Sequence, residues 1–176
     1  MRYVVVCDVG GAGGAFNNSL RKEVYEKMGV KSSSLPAHIT IKAPFEHEGA
    51  VTELEQVLEE FCAKEYAAPF WLRGYDHFED RVIYMHVDMS EEGQALHERL
   101  IDAMAKVPYI TFDKKDGKDK VFHVTVSSKR VAPIYHQLWD YVQQYACQFE
   151  CLFDNVSLYS WDESKWKLES VFKLQK

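Results

Sequence analysis

Two short segments place a histidine and a threonine two positions apart within runs of otherwise apolar residues. They read "HITIK" from His38 and "HVTVSS" from His123. Alternate side chains of a β-strand point to the same face, so His38, Thr40 and Lys42 should share one face of the first strand. His123 and Thr125 should share one face of the second strand, opposite its valines. Each segment therefore predicts a strand with one apolar face and one face capable of chemistry.

The polar faces of these two strands suit phosphoryl transfer. If the strands meet at one cleft, one imidazole can accept a proton from water or a hydroxyl while the other donates a proton to the leaving oxygen. The threonine hydroxyls and the Lys42 ammonium can bind the non-bridging phosphate oxygens. This scheme requires neither a metal ion nor a cofactor. A structural histidine is the commoner interpretation of one such motif, but two copies in matching contexts favour catalysis.

The elements predicted around the two segments occur in the same order. Apolar residues at helical spacing predict a helix after each segment, and runs rich in β-branched and aromatic residues predict strands after each helix. The order of motif strand, helix and hairpin covers residues 38–88 and again residues 123–174. The second hairpin is expected to pair "FECLFDNVSLYSW" with "WKLESVFKL". The sequence therefore predicts a weak duplication whose two halves pack around a common cleft.

Four further predictions concern segments outside the motifs. Residues 3–8 predict a buried strand, and Asn18 is expected to cap a helix that reaches Met28. The intervening "DVGGAGGAF" lacks the spacing of a nucleotide-binding glycine motif and is expected to be a flexible loop. The "DKKDGKDK" segment, residues 113–120, is expected to be a solvated turn, with a mobile lid over the second motif as the alternative.

Length and composition favour one domain that spans residues 1–176. Hydrophobic residues make up 47% of the chain, enough for a sizeable core. The net charge of −6 argues against binding to extended double-stranded nucleic acid but permits a local cationic pocket for a short anion. The apolar run near the first residue is too short for a signal peptide or a membrane span. We therefore expect a cytoplasmic monomer without membrane contact.

Cysteines and the other histidines show no spacing typical of a metal site. The four cysteines form no C-x-x-C pair and are expected to be reduced core residues. The five histidines outside the motifs are expected to be surface residues or to have hydrogen-bond partners. They are His47, His77, His86, His97 and His136.

Several aromatic residues near the motifs are candidates for stacking on a nucleobase, because an aromatic ring binds the face of any base. The candidates are Phe45, Phe78, Tyr84 and Trp161. Phe45 ranks first because it follows the first motif directly. Core packing is the alternative for each ring.

The paired "HITI" and "HVTV" segments resemble the 2H phosphoesterase superfamily, which is named for two H-x-T/S-x motifs with hydrophobic x. The similar order of elements covers nearly the whole chain. The resemblance implies an α+β fold with two lobes, in which pseudo-symmetric, duplicated antiparallel sheets with flanking helices surround a central cleft. Each lobe should contribute one motif. Ala37 and Phe122 stand where relatives often carry proline. This difference affects the assignment to a subfamily more than the expected catalytic chemistry.

The resemblance also implies roles for the motif residues. His38 and His123 would be the catalytic acid and base, and Thr40 and Thr125 would bind phosphate, whereas Lys42 is not part of the family pattern. The implied enzyme is a hydrolase like the cyclic phosphodiesterases and 2′-5′ RNA ligase-like proteins of the superfamily. It would act without metal on a 2′,3′-cyclic phosphate or 2′,5′-phosphodiester of a nucleotide or RNA end.

Two alternatives remain open from the residues. One is a nucleotide-binding or RNA-end-binding module without turnover, and the other is a zinc ion held by His38 and His123. Which histidine acts as the base, and which phosphate is the natural substrate, are not readable from the motifs.

Overall fold

The computed structural model describes residues 1–176 as two four-stranded antiparallel sheets and four α-helices. The strands are β1 (Arg2–Asp8), β2 (His38–Glu46), β3 (Ala68–Phe78), β4 (Val82–Met89), β5 (His123–Ser127), β6 (Gln148–Phe153), β7 (Asn155–Asp162) and β8 (Lys165–Lys173). The helices are α1 (Gly11–Met28), α2 (Thr52–Lys64), α3 (Glu91–Met104) and α4 (Tyr135–Gln143). A short 3₁₀ turn, Ala132–Ile134, leads into α4.

The two sheets are assembled from interleaved parts of the chain. One has the strand order β2-β1-β7-β8 and the other has the order β5-β4-β3-β6, so each motif strand lies at an edge of its own sheet. Helix α2 carries the chain from β2 to the other sheet, where the β3–β4 hairpin pairs with β5. The two-lobed α+β fold is confirmed. Each lobe, however, combines strands from both halves of the sequence rather than one consecutive half.

The two sheets share one hydrophobic core. A single cluster joins buried residues of both sheets and of the helices, such as Val5 of β1, Phe70 of β3 and Leu100 of α3. The predicted strand at residues 3–8 is confirmed as the buried β1. Burial of this apolar surface holds the two edge strands, and with them the two motifs, in a fixed relation.

Helix α1 begins at Gly11, well before the cap expected at Asn18, so the prediction of a flexible glycine loop is wrong. A Cβ added at Gly13 would lie 2.9 Å from the Cys151 Sγ, and one at Gly14 would overlap the backbone of the preceding strand end. The glycines therefore allow α1 to pack closely on β6 and β1. Glycine has a weak helix propensity, and for this reason the sequence predicts a loop. The close packing outweighs that propensity.

The closing segment does not form one long strand. β6 ends at Phe153 and pairs with β3, whereas β7 begins at Asn155 and pairs with β1 and β8. The expected long strand is therefore wrong, and only its second part forms the predicted hairpin. The switch between sheets is fixed by the buried Asn155 side chain, whose Oδ1 accepts from the Asp8 N–H at 2.9 Å and whose Nδ2 donates to the Asp8 carbonyl at 2.9 Å.

All four cysteines are buried and unbridged, as their spacing predicts. Desolvation raises the pKa of each thiol, to about 11 for Cys147 and Cys151 and to about 12 for Cys62. They are therefore core residues in their protonated form. None of the helices combines the length and the apolar character needed to cross a lipid bilayer.

Candidate active site

The two motif strands contact each other although they belong to different sheets. The apolar members of both strands are buried: Ile39, Ile41, Val124 and Val126. The polar members are partly exposed: His38, Thr40, His123 and Thr125. The period-two alternation therefore turns the polar face of each strand towards the contact between the lobes.

Each motif histidine shares a cavity with the threonine of the other motif. His38 and Thr125 line a small cavity of about 70 Å³. His123 and Thr40 line a second cavity of about 410 Å³. The structure thus brings together the four residues of the two motifs, with an imidazole and a hydroxyl from opposite strands at each position.

Both imidazoles are oriented by the same kind of hydrogen bond. The His38 Nδ1 lies 2.8 Å from the Pro36 carbonyl oxygen, and the His123 Nδ1 lies 2.9 Å from the Val121 carbonyl oxygen. A carbonyl oxygen only accepts hydrogen bonds, so each Nδ1 must carry the hydrogen and donate it. In the neutral ring this leaves an unprotonated Nε2. Each histidine therefore offers Nε2 as a base.

Burial lowers the pKa of both histidines to about 4. For His38, the hydrogen bond to the Pro36 carbonyl opposes this effect, while the charges of Arg21, His123 and Lys120 add to it. For His123, the Lys120 charge also lowers the pKa. Both rings are therefore neutral at pH 7 without a ligand. Since an anion raises the pKa of a neighbouring imidazole, a bound phosphate would favour protonation of one ring.

Helix α1 holds both motif strands through two neighbouring asparagines. The Nδ2 of the buried Asn17 donates to the Thr125 carbonyl at 3.1 Å. The Oδ1 of Asn18 accepts from the Ala37 N–H at 2.9 Å, directly before the first motif. Arg21, on the next turn, donates to two carbonyl groups of the segment that leads to this motif. The helix therefore sets the relative position of the two strands.

Lys42 lies away from both cavities in a buried ion pair. Its Nζ is 2.6 Å from the Oδ2 of Asp116, a residue that is 1% exposed. The same Oδ2 accepts from the Ala43 N–H, and the Oδ1 accepts from the Asp113 N–H. Burial alone would raise the pKa of Asp116, but these hydrogen bonds lower it. A β-bulge between Thr40 and Lys42 interrupts the alternation on which the shared face depended. The ammonium expected to bind phosphate is instead engaged by a carboxylate.

Three lysines line the larger cavity, and Lys120, which the sequence pattern did not indicate, is the buried one beside the exposed Lys114 and Lys115. Its side chain is buried, its Nζ donates to the Thr40 carbonyl, and burial lowers its pKa to about 8. It belongs to residues 113–120, which form turns and are mostly exposed, as predicted, whereas Asp116 and Lys120 are buried. The segment is anchored because Asp116 binds Lys42, a partner 74 residues distant that no local pattern reveals.

Two of the aromatic candidates surround the second motif histidine. The Phe78 ring lines the larger cavity, with its centroid 5.0 Å from that of His123 in an edge-to-face arrangement. The Tyr84 ring centroid is 5.2 Å from that of His123, but its side chain is 3% exposed. Phe78 is therefore accessible from the cavity, whereas the buried Tyr84 ring packs against the imidazole.

The other two aromatic candidates lie outside both cavities. Phe45, ranked first from the sequence, packs against Tyr3 with ring centroids 5.8 Å apart. Its position past the bulge turns it towards the core instead of the cleft. Trp161 lines a separate surface groove.

One histidine outside the motifs is buried without a hydrogen-bond partner. His97 is 0% exposed, and neither ring nitrogen is hydrogen-bonded. Its ring packs edge-on against Phe122 at 4.7 Å, and burial lowers its pKa to about 4. We expected His97 to be exposed or hydrogen-bonded, and this expectation is wrong. The residue lies on the face of α3 that packs into the core.

Comparisons with known proteins agree with this architecture. The family model described as the 2′-5′ RNA ligase superfamily matches residues 15–165. No curated protein matches the chain. Similar solved structures include E. coli LigT in apo form, with a TM-score of 0.64, 12% identity and coverage of 99% of this chain and 98% of LigT. TT0787 of Thermus thermophilus has a TM-score of 0.60, 14% identity and coverage of 99% of this chain and 98% of its own.

Usb1 of Kluyveromyces marxianus is a more distant neighbour, with a TM-score of 0.50, 12% identity and coverage of 98% of both chains. At these identities the structures show a shared fold. The family model covers most of the sequence, including both histidine motifs. The chain therefore belongs to the 2′-5′ RNA ligase superfamily, a family of 2H phosphoesterase enzymes, as its paired motifs predict.

Proposed function

We propose that this protein hydrolyses a 2′,3′-cyclic phosphate or a 2′,5′-phosphodiester at a nucleotide or RNA end, without a metal ion. The observation that carries the proposal is the crossed arrangement of the motifs, in which His38 lies with Thr125 and His123 with Thr40. A phosphate between the strands would meet a proton-transfer group and a hydroxyl on each side. Structures of the relative LigT with 3′-AMP and with phosphate support a ligand of this class.

The proton transfers follow from the orientation of the two rings. For a cyclic phosphate, the oxygen of water forms a new bond to phosphorus and the bond from phosphorus to one ribose oxygen breaks. The Nε2 of one histidine takes a proton from the water, and the protonated Nε2 of the other gives a proton to the ribose oxygen. The products are a phosphate monoester and a free hydroxyl. Both rings keep their Nδ1–H bonds to the carbonyls of Pro36 and Val121 throughout.

Charge on the non-bridging oxygens would be stabilised by three groups. The hydroxyls of Thr40 and Thr125 approach from opposite strands, and Lys120 adds a positive charge below its pKa of about 8. Donors held in advance in a partly buried site stabilise such charge more than water does, because they need no reorganisation. Lys120 thus takes the role that the sequence pattern had suggested for Lys42.

The test uses purified protein with three substrates in excess chelator: 2′,3′-cyclic nucleotides, a 2′,5′-linked dinucleotide and an RNA oligomer that ends in a 2′,3′-cyclic phosphate. Phosphorus NMR identifies the bond that is broken. We expect conversion by the wild type and none by the His38→Ala, His123→Ala double variant. Failure on all three substrates would refute the proposal. Activity lost in chelator and restored by zinc would favour a metal site, although the structure assembles no group of three metal-ligating side chains.

A binding module without turnover is the second candidate. It is favoured by the low pKa of both histidines, about 4, which leaves neither imidazole protonated in the ligand-free protein at pH 7. Such a module would show a higher melting temperature with a cyclic nucleotide but would release no phosphate monoester.

A further inference from the structure

A groove opens on the surface beside the His38 cavity. It has a volume of about 630 Å³, and Arg21, Ser32 and Ser33 line both the groove and the His38 cavity. Its outer wall carries basic and aromatic side chains: Lys22, Tyr25, Lys31, Lys129, Trp161 and Trp166. We call this surface the basic groove. The shared lining residues make the basic groove the direct neighbour of the His38 cavity.

The lysines of the basic groove have no acidic partner. Lys22, Lys31 and Lys129 take part in none of the ion pairs of the structure, and no aspartate or glutamate lines the groove. Lys31 and Lys129 face each other in an antiparallel bridge, where the N–H groups of Ser128 and Lys129 both donate to the Lys31 carbonyl at 2.9 Å. The backbone thus holds like charges together. In a protein of net charge −6, this arrangement is a local anion-binding surface.

Internal hydrogen bonds preorganise the floor of the basic groove. The Arg21 guanidinium donates to the Ser32 Oγ at 2.8 Å and to the carbonyls of Ser33 and Leu35 at 2.8 and 2.7 Å. Burial lowers the pKa of Arg21, in keeping with a structural role. Arg21 therefore holds the floor in place, and the three lysines have no ion-pair partner, although the Lys31 Nζ lies 4.8 Å from the centroid of the Tyr25 ring.

The aromatic wall of the groove is also fixed. The Ser34 Oγ accepts from the backbone N–H of Trp166 at 2.9 Å, and the Trp161 and Trp166 rings pack edge-to-face with centroids 5.2 Å apart. Trp161 therefore has a defined orientation at the groove. A positively charged groove lined by fixed aromatic rings is the usual combination in single-strand binding sites, where bases stack and phosphates meet lysines.

We infer that the basic groove binds the single-stranded RNA segment attached to the phosphate that reacts at His38. Lys22, Lys31 and Lys129 contact phosphates of that segment, and a base stacks on Trp161. The inference rests on the proposed function for the position of the reacting phosphate. A cyclic mononucleotide occupies only the cavities between the motifs, whereas an oligonucleotide also reaches the groove. The substrate is therefore the end of an RNA chain.

The test compares two substrates in a Lys31→Ala, Lys129→Ala double variant. One substrate is a fluorescein-labelled hexanucleotide RNA that ends in a 2′,3′-cyclic phosphate, and the other is a 2′,3′-cyclic mononucleotide. We expect kcat/KM for the RNA to fall about 10-fold or more, while the mononucleotide rate stays unchanged. The slope of log affinity against log salt should become shallower by about 1.4, at about 0.7 per phosphate contact with a single strand. A Lys106→Ala, Lys173→Ala variant removes the same charge from exposed sites outside the groove and should change neither substrate.

Binding is measured separately from turnover. In the His38→Ala, His123→Ala background, fluorescence anisotropy with a hexanucleotide that ends in a 3′-phosphate reports affinity alone. Weaker binding after the groove substitutions would support the groove even if the wild type converts no substrate, in which case only the proposed catalysis fails. RNA affinity that is equal with and without the groove lysines, or an equal loss of rate on both substrates, would overturn the inference.

Discussion

His38 and Thr125 line one cavity although they belong to edge strands of two different sheets. The pairing of His123 with Thr40 repeats this relationship. Neither cavity is therefore lined by the histidine and the threonine of one strand. Any displacement of one lobe relative to the other should separate imidazoles from hydroxyls at both positions.

Replacing either motif histidine by alanine should reduce kcat by about 10² to 10⁴, the usual contribution of a general acid or base. The double variant His38→Ala, His123→Ala should lose little more than the worse single variant, since residues that act as a unit are not additive. Initial rates on a 2′,3′-cyclic substrate measure both effects. His136→Ala, on an exposed position of α4, is the control. Full activity in either single variant would contradict the assignment.

The pH dependence should differ between kcat/KM and kcat. Burial holds the pKa of His38 and His123 at about 4 in the free protein, so the protonated acid becomes scarcer as pH rises. Because kcat/KM reports the free enzyme, it should decline between pH 5 and 8. The bound anion raises the pKa of the acid, so kcat should stay flatter over this range. A kcat/KM maximum near pH 7 would show that the imidazoles titrate normally.

Lys120→Met should reduce kcat by about 10²-fold, because it removes a fixed charge from the phosphate site while retaining most of the side-chain volume. The unfolding free energy of Lys120→Met should fall less than that of a variant with a truncated side chain in the hydrophobic core. Rates and urea titrations on the same preparation separate the two effects. Wild-type kcat in Lys120→Met would show that the ammonium only fastens the Thr40 carbonyl.

Lys42→Met should act on stability instead of catalysis. The substitution leaves the carboxylate of Asp116 buried without its charge partner, which costs about 3 to 5 kcal/mol. Adding Asp116→Asn should recover part of this loss because it removes the buried charge. The recovery is partial because Ala43 and Asp113 donate to separate carboxylate oxygens, and the single amide oxygen can accept from only one of these N–H groups. Urea unfolding of the single and double variants measures the recovery. A double variant no more stable than Lys42→Met would contradict this account of the ion pair.

His97 should make the protein less stable in acid. Its folded pKa of about 4 lies below the value near 6.5 of an unfolded chain. The unfolded state therefore binds the proton first, and stability falls as pH drops from about 6.5 towards 4. His97→Leu should reduce the loss of unfolding free energy between pH 7 and pH 5 by about 2 kcal/mol. Urea titrations at both pH values test this, with His136→Leu as the exposed control; equal acid losses in wild type and His97→Leu would refute it.

The sequence alone was sufficient for the parts of the site that depend on neighbouring residues. Period-two alternation of isoleucine and valine with polar residues identified both motif strands and the face on which His38 and His123 lie. The paired motifs also identified the superfamily, which the family model confirms. These features are local, because side chains alternate between the two faces along a regular strand.

Tertiary structure decided the features that depend on distant partners. Close packing against Cys151 made a helix of the glycine segment from Gly11, and a bulge with the buried Asp116 turned Lys42 into a structural residue. Lys120 lines the His123 cavity because its segment is anchored by the ion pair of Asp116 with Lys42. Ion pairs and close packing are settled by whichever groups the fold brings together, and a single sequence does not specify those partners.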